Sequence, residues 1–536
     1  MLQIFAHCID YQKKKGGNTL KHNPVRSLRA LLNRRFFIAL LIIAQLVLIT
    51  ATLFRYSHLK WLQSLLTLFS IITALHLLTR RDKSAYKLSL VFLILLLPIF
   101  GGVFYWIFHF QTTSVGFRKR LEQVEQNSRT AYQLPNDISK QVFSQAVDEL
   151  TESRKLLRYM DYSTPFPVYS NTESYYYPGG ADMLPALLED LKKAERYIFM
   201  EYFIIEEGEM WNLILEVLRE RVKAGVDVRI IYDDLGCFLT LPSNYAKTLR
   251  SYGIQCQLFN PFHPFLTSIQ NNRDHRKITV VDGKIAYTGG INLADEYIGK
   301  KIKHGTWKDS AIRLYGDGAW SFTVMFLQYW SFLSRKKEAD YEKYRPTEFD
   351  APTSGNGWVQ PYTDSPMDRE NVGEHVYHQI TEQAQQYLYI TTPYLTVNDG
   401  MLSALERSAK SGVDVRIITP EIPDKKLVHF TSRSYYRHLI RAGVKIYEYR
   451  GGFMHAKLFV SDDKIATVGT ANLDFRSLYL HFECGTCLYQ TNSIADIKND
   501  YLHTLKDCRQ IIEQDCKVGL FKQFLQSICR LFAPLM

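Results

Sequence analysis

Three long apolar runs open the chain, and beyond them shorter apolar stretches alternate with amphipathic ones. The first run, 36–54, carries no charge. The second, 61–78, contains Gln63, Ser64 and Thr67 and reaches His76 near its end. The third, 88–110, is interrupted by Pro98 and the Gly101-Gly102 pair. Helices of this length cross a hydrocarbon core of about 30 Å, and Pro and Gly are tolerated inside such spans. Membrane helices are therefore predicted over 36–54, 61–78 and 88–110, behind a basic N-terminal stretch, 1–35. That leader is too long for a cleaved signal peptide, and no small-residue cleavage site follows the first run. Lys13, Lys14, Lys15, Arg34 and Arg35 before the first span put the N-terminus in the cytoplasm. Three spans would place the remainder of the chain outside the cytoplasm and two would leave it inside; both arrangements stay open.

Residues 111–165 are polar and read as a helical connector. Past them the pattern becomes that of a globular α/β protein. Met183, Ala186, Leu187 and Leu191 recur at helical spacing, 196–205 is a continuous apolar run of strand length, a helix follows over 211–222, and AGVDVRIIYDD (224–234) reads as another strand. The same order returns later: 385–395 as strand, 401–410 as helix, then SGVDVRIITPE at 411–421. This internal repeat divides the chain into two similar α/β sandwich halves, 166–345 and 362–516, joined by a charged linker, 346–361. The last stretch, 517–536, places Leu520, Phe521, Phe524, Leu525, Ile528, Leu531 and Phe532 on one helical stripe, with Lys517, Lys522 and Arg530 off it. Such an amphipathic helix either lies at a membrane interface or caps the core; both readings stand.

Each half also carries one copy of a polar motif. NNRDHRKITVVDGKIAYTGGIN (271–292) and GGFMHAKLFVSDDKIATVGTAN (451–472) share H-x-K-x4-D-x6-G-[GT]-x-N. One His-x-Lys pair would be an ordinary exposed strand face, but two copies at matched offsets are not. In each, His and Lys stand two apart and share a strand face, apolar residues follow, and Asp282-Gly283 or Asp462-Asp463 supplies turn chemistry. A returning strand brings small residues and an Asn back beside the His. An imidazole, an ammonium group and an amide beside glycine backbone make a phosphate site, here built twice.

Charge and cysteine usage refine this picture. The chain has 536 residues and a formal charge of +11, which suits partners rich in phosphate, either nucleic acid or an anionic membrane. The apolar runs favour the membrane, so membrane lipids and no nucleic acid are expected. Eight dispersed cysteines form no disulfide framework. Cys484 and Cys487 have redox-motif spacing but lie in a strand-like run, and read as ordinary strand cysteines. No stretch clusters three ligands at metal spacing, so no metal and no other cofactor is expected.

The paired motifs are the signature of the phospholipase D superfamily. GGINLADEY (289–297), HGTWKDS (304–310), FMHAKLFV (453–460), ANLDFRSLYLHFE (471–483), the long stretch 175–208 and LLLPIFGGVFYWIF (95–108) resemble bacterial cardiolipin synthases. The resemblance implies two halves facing each other around one active site, reached from a multi-pass segment in the cell membrane. It implies transfer of a phosphatidyl group from one phosphatidylglycerol to another, giving cardiolipin and glycerol. His275 would form the phosphatidyl-histidine and His455 would act as acid and then base, although the residues alone allow the reverse. Lys277 and Lys457, with Asn292 and Asn472, would hold the phosphate oxygens. Asp282 and Asp462 complete the catalytic set by motif, yet their place at the turn suits capping of the hairpin. Asp309 and Glu483 would each orient the other half's imidazole. His481 departs from the pattern, since cardiolipin synthases often carry Asn there. A phospholipase D or a phosphatidyltransferase using another alcohol is the alternative within the class; a nuclease, a membrane scaffold and a metal-dependent phosphodiesterase fit the residues less well. The oligomeric state is open.

Overall fold

The computed structural model describes residues 60–80, 83–97, 102–103, 105–106, 112–132, 136–261, 271–336, 340–346, 348–349, 355–368 and 370–536. The described residues fall into two compact units, one within 60–79 and 91–110 and one within 80–90, 112–261 and 271–536. In the first, a helix covers Lys60–Thr79, where the second apolar run was read. Within this unit the Trp106 indole donates to Thr73 Oγ1 at 3.0 Å and stacks on His76. The first predicted span, 36–54, and the basic stretch 1–35 lie outside the described residues. Of the third run, a helix over Ser84–Leu96 is described. Among the described residues no helix is long and apolar enough to cross a membrane.

The second unit holds two sheets of the same design. The strands of its first half, in chain order, are β1 (Thr172–Tyr177), β2 (Tyr197–Tyr202), β3 (Asp227–Asp233), β4 (Gln255–Phe259), β5 (Arg273–Asp274), β6 (Lys277–Val281), β7 (Ile285–Gly289), β8 (Thr306–Lys308) and β9 (Ala311–Gly316). Those of the second half are β10 (Trp358–Asp364), β11 (Tyr387–Thr391), β12 (Leu395–Thr396), β13 (Asp414–Pro420), β14 (Lys445–Tyr449), β15 (Gly452–Met454), β16 (Leu458–Ser461), β17 (Ile465–Gly469), β18 (Leu473–Asp474), β19 (His481–Tyr489) and β20 (Cys508–Ile511). The first sheet runs β1-β9-β7-β6-β2-β3-β4 and the second β10-β19-β17-β16-β11-β13-β14-β20. Apart from the added β20, the orders match strand for strand. In both, three strands connected by helices are parallel and the motif hairpin joins them antiparallel, so the repeat read in the sequence is a repeat of topology.

A helix over Gly318–Ser334, apolar on every side, is buried along almost its whole length. That is the pattern of a helix packed all round by protein: it lies on the first sheet and against β10 of the second, and the same core takes in Leu388, Ile390, Leu458 and Val460 of the second sheet. The two halves therefore share one continuous core. Residues 111–165 also depart from the connector that their polarity suggests. Helices over Thr112–Ser128, Asn136–Glu149 and Arg154–Ser163 put Leu121, Ala146, Leu156, Leu157 and Met160 into this core, with Leu150 between the last two; their apolar residues are few but fall on one face. The second half begins earlier than the expected linker allows, because β10 starts at Trp358 and pairs along β19. Cys484 and Cys487 are free, buried residues of β19.

Candidate active site

Two short strand pairings carry each half into the other. β5, just before His275, pairs with the start of β19, while β15, just before His455, pairs with β8. Backbone hydrogen bonds finish both pairings in the same way: His275 N–H donates to Phe482 O at 2.9 Å, and His455 N–H to Lys308 O at 2.7 Å. The residue after each of those carbonyls is a carboxylic acid. Glu483 and Asp309 are therefore delivered to the opposite half's imidazole by backbone register.

His275 Nδ1 lies 3.0 Å from both oxygens of Glu483, and His455 Nδ1 lies 2.6 Å from Asp309 Oδ2. Carboxylate acceptors on Nδ1 fix the tautomer and leave the Nε2 lone pair for chemistry. The two acids are kept in place differently. Thr470 Oγ1 donates to Glu483 Oε2 at 2.5 Å, whereas the matching motif position, Gly290, leaves room for Asp309: a Cβ there would collide with the Asp309 carboxylate. The Gly-or-Thr variation in the motif thus tracks which carboxylate must fit.

Both motif lysines are buried and fold toward their own histidine. Lys277 Nζ donates to His275 O at 2.6 Å. Lys457 Nζ donates to His455 O and lies 2.8 Å from His455 Nδ1. Burial lowers Lys277 to about 8 and Lys457 to about 7, with the nearby carboxylates opposing it. Burial likewise holds His275 well below the ordinary imidazole value and lowers His455 to about 4, with Lys457 adding to the second shift. Burial alone would raise Glu483, but His275 and His481 hold it well below the usual carboxylate range. The Lys277 charge acts on both His455 and Lys457. The two motifs therefore form one electrostatic site.

The other expected residues divide. Asp282 and Asp462 both stand at left-handed φ in the hairpin turns, and each carboxylate accepts three backbone N–H groups at the start of a neighbouring strand: those of Glu195, Arg196 and Tyr197 for Asp282, and of Gln385, Gln386 and Tyr387 for Asp462. Their oxygens therefore brace the sheet rather than orient an imidazole, as their place at the turn suits. Asn292 uses both ends of its amide within its own half, accepting from Ile204 N–H and donating to Tyr297 Oη. Asn472 keeps its Oδ1 buried without a hydrogen-bond partner.

Several neighbours were not foreseen. Arg276, between the motif His and Lys, is fully buried; it pairs with Glu201 and Asp274, and its guanidinium lies 3.4 Å from the Tyr329 ring centroid. Arg273 forks onto Asp233 beside it. Charged residues inside apolar strand runs, Glu201 in YIFMEYFII above all, were the available signal. His481 is tilted against His275 with ring centroids 5.5 Å apart, and its two nitrogens are buried without hydrogen-bond partners. His275, His481 and Glu483 bring potential metal-ligand atoms within 4.8 Å of one another. This grouping corrects the expectation, drawn from linear spacing, that no such cluster exists.

Crossed His–carboxylate pairs and two buried lysines on duplicated hairpins define a phosphodiester-transfer site of the phospholipase D type. The family described as "Cardiolipin synthase, PLD-like domain" matches residues 187–302 and 377–505. A cardiolipin synthase of Alkalihalophilus pseudofirmus is 36% identical, covering 69% of this chain and 73% of its own. One from Geobacillus kaustophilus is 31% identical over 92% of this chain and 99% of its own. An uncharacterized protein of Streptococcus mutans is 42% identical, covering 87% and 99%. Among solved structures, phosphatidylserine synthase of Haemophilus influenzae superposes with a TM-score of 0.51 at 16% identity, covering 68% of this chain and 93% of that one, a likeness of fold. The chain belongs to the cardiolipin synthase family of the phospholipase D superfamily.

Proposed function

We propose that the chain transfers a phosphatidyl group between two phosphatidylglycerol molecules through a phosphatidyl-histidine. The observation that carries this reading is the pair of crossed carboxylate contacts, 3.0 Å on His275 and 2.6 Å on His455. They equip two imidazoles in one buried site, as a double displacement requires. His275 Nε2 attacks phosphorus; the N–P bond forms, the P–O bond to glycerol breaks, and His455 Nε2–H protonates the departing oxygen. The hydroxyl of a second phosphatidylglycerol then gives its proton to His455 as its oxygen displaces the histidine. Atoms balance as cardiolipin plus glycerol. Lys277 and Lys457, with Asn472, face the non-bridging oxygens; an arriving phosphodiester anion favours the charged form of groups that burial otherwise discharges.

Membrane anchoring through the apolar runs supports a lipid substrate. Along Lys60–Thr79, Trp61, Leu65, Leu68, Ile72, Leu75 and Leu78 are exposed, as suits side chains that face acyl chains. The test is incubation of the purified chain with labelled phosphatidylglycerol in mixed micelles, with and without added alcohols. Cardiolipin and glycerol as the products support the reading. Phosphatidic acid alone, or transfer only to an added alcohol, would replace it with a phospholipase D or a different phosphatidyltransferase.

A further inference from the structure

The helix over Leu520–Phe532 turns apolar side chains outward over its first half, where a surface helix of a soluble protein carries polar ones. None of its residues is buried, and Leu520, Phe521 and Phe524 are 86%, 75% and 62% exposed. Leu525, four residues after Phe521, continues the same side, since residues three and four apart are neighbours on a helix. Polar side chains of the helix meet the protein: Gln526 Nε2 donates to Phe430 O at 3.5 Å, and the Arg530 guanidinium lies 4.4 Å from the Tyr435 ring centroid, while Ile528, Leu531 and Phe532 further along are half-buried. The helix is well anchored while presenting aromatic and leucine side chains outward. Arg476 donates to the terminal Met536 O at 3.0 Å, and Ala533 is buried. Leu427, one turn before Phe430, and Ile422 add exposed apolar surface, and Lys425, Lys426, Lys517 and Lys522 are exposed among them.

Two further contacts indicate what covers this face. Ser89 Oγ donates to Leu531 O at 2.5 Å, and the Tyr86 ring packs edge-on against Phe475 and Tyr479, so the stretch Tyr86–Ser89, where the apolar sequence of the third run begins, packs beside this helix. From the other direction, Asp424 accepts from Tyr394 Oη at 2.6 Å, and Lys425 Nζ lies 4.8 Å from the Tyr394 ring centroid. Tyr394 adjoins Phe453, which adjoins His455. The apolar, lysine-studded patch thus extends from beside Ser89 to the wall of the active site. We propose that the C-terminal helix docks on an anionic bilayer, with Leu520, Phe521, Phe524 and Leu525 at the acyl boundary and the lysines among the headgroup phosphates. Docking sets the 422–427 segment beside the lipids that supply substrate. This rests on the lipid-substrate reading given above.

The test uses the full chain in nanodiscs. Phe521→Trp should gain fluorescence that lipids brominated high on the acyl chain quench, more strongly with phosphatidylglycerol than with phosphatidylcholine alone; absence of that quenching overturns the proposal. The combined variant Leu520→Glu, Phe521→Glu, Phe524→Glu should lose about tenfold or more in turnover of bilayer phosphatidylglycerol, yet change less than about twofold on monomerically dispersed short-chain phosphatidylglycerol. Equal losses on both substrates with a lowered Tm would make the helix a cap of the protein core, and dimers that dissociate only in the variant would make the occupant a second copy; either overturns it. If neither substrate turns over even before substitution while the tryptophan is quenched, the transfer reading fails and docking stands.

Discussion

The two halves of the catalytic unit share a scaffold and differ in what lines it. Backbone register is the same: a two- or three-residue strand crosses over, a His N–H meets the carbonyl before an acid, and that acid meets Nδ1. The walls diverge. His455 lies among aromatic rings, with Trp307, Tyr297 and Phe453 at centroid distances of 5.2, 5.7 and 5.5 Å, and Lys457 against its Nδ1. His275 has Phe203 on one side and His481 on another, above the buried cluster of Arg276, Glu201 and Asp274. Positions 307 and 481 are equivalent, each two residues before its acid, and one carries an indole while the other carries an imidazole. Duplication therefore supplied two equal imidazole mounts, and the division of labour between nucleophile and acid must come from side chains the repeat does not share.

Removing either imidazole should have the largest effect. His275→Ala and His455→Ala should each lower kcat by about 10^4-fold or more, as loss of a nucleophile or acid does. A phosphatidyl ester with a phenolate-type leaving group separates the roles, because it needs no acid to depart. His455→Ala should then accumulate phosphatidyl-enzyme, and His275→Ala should form none; the opposite result exchanges the assignments. The orienting acids come next. Glu483→Gln and Asp309→Asn should each cost about 10^2-fold in kcat with little change in Tm, because a lost carboxylate releases the tautomer rather than the fold. Asp282→Asn and Asp462→Asn should reverse that balance: each disturbs three backbone N–H partners, for about 1–3 kcal/mol of stability measured by denaturant titration, before chemistry suffers.

How much of this was legible in the chain follows from what is local. Periodicity and the repeated AGVDVRII and SGVDVRII segments reported the two halves, and motif spacing reported His275, Lys277, His455 and Lys457, because strand faces and hairpins are short-range. The crossing of Glu483 and Asp309 came from resemblance, since nothing in the spacing says that β19 meets β5. The core role of 111–165 was hidden because a few apolar residues, Leu121, Leu156 and Leu157 among them, decide packing while the many polar ones decide average composition. Arg276 carries no sign of its burial in the motif itself; only three dimensions bring Glu201 to it from another strand.

Acid should weaken the fold as well as the chemistry. His455 is lowered to about 4 against an ordinary 6.5, with His275 shifted in the same direction. An unfolded chain takes up protons that the buried rings refuse, so stability is lost as pH falls from 6.5 toward 4 and levels off below the folded value. Melting curves across that window should steepen the loss for the unsubstituted chain relative to His455→Gln. A parallel pH dependence in both would mean that the imidazole is solvated, and the contrast between the dry walls of the two mounts would lose one side.

The smallest effect should fall where the two mounts differ most. The Trp307 indole already donates within the protein, to Lys303 O, whereas His481 Nδ1 stands 3.7 Å from Glu483 Oε1, an ion-pair distance beyond hydrogen-bond reach, and neither of its nitrogens has a hydrogen-bond partner among the described residues. A buried polar group without a partner costs stability unless a ligand supplies one, and a neutral imidazole offers one donor and one acceptor. The ligand at hand is the phosphodiester headgroup, so His481→Asn, which keeps a donor and an acceptor on a shorter side chain, should raise KM by about three- to tenfold with kcat nearly unchanged, the mark of lost uniform binding. His481→Phe, which resembles the aromatic wall of the other mount, should raise KM further. The same ring belongs to the grouping of His275, His481 and Glu483, and the mechanism routes no step through a metal there, so dialysis against EDTA should leave turnover within about twofold. A His481→Asn variant that loses kcat but keeps KM would move His481 from substrate binding to positioning of Glu483. Loss of activity to EDTA, restored by zinc in the unsubstituted chain and not in His481→Asn, would make the His275 mount a metal centre and end its equivalence with that of His455.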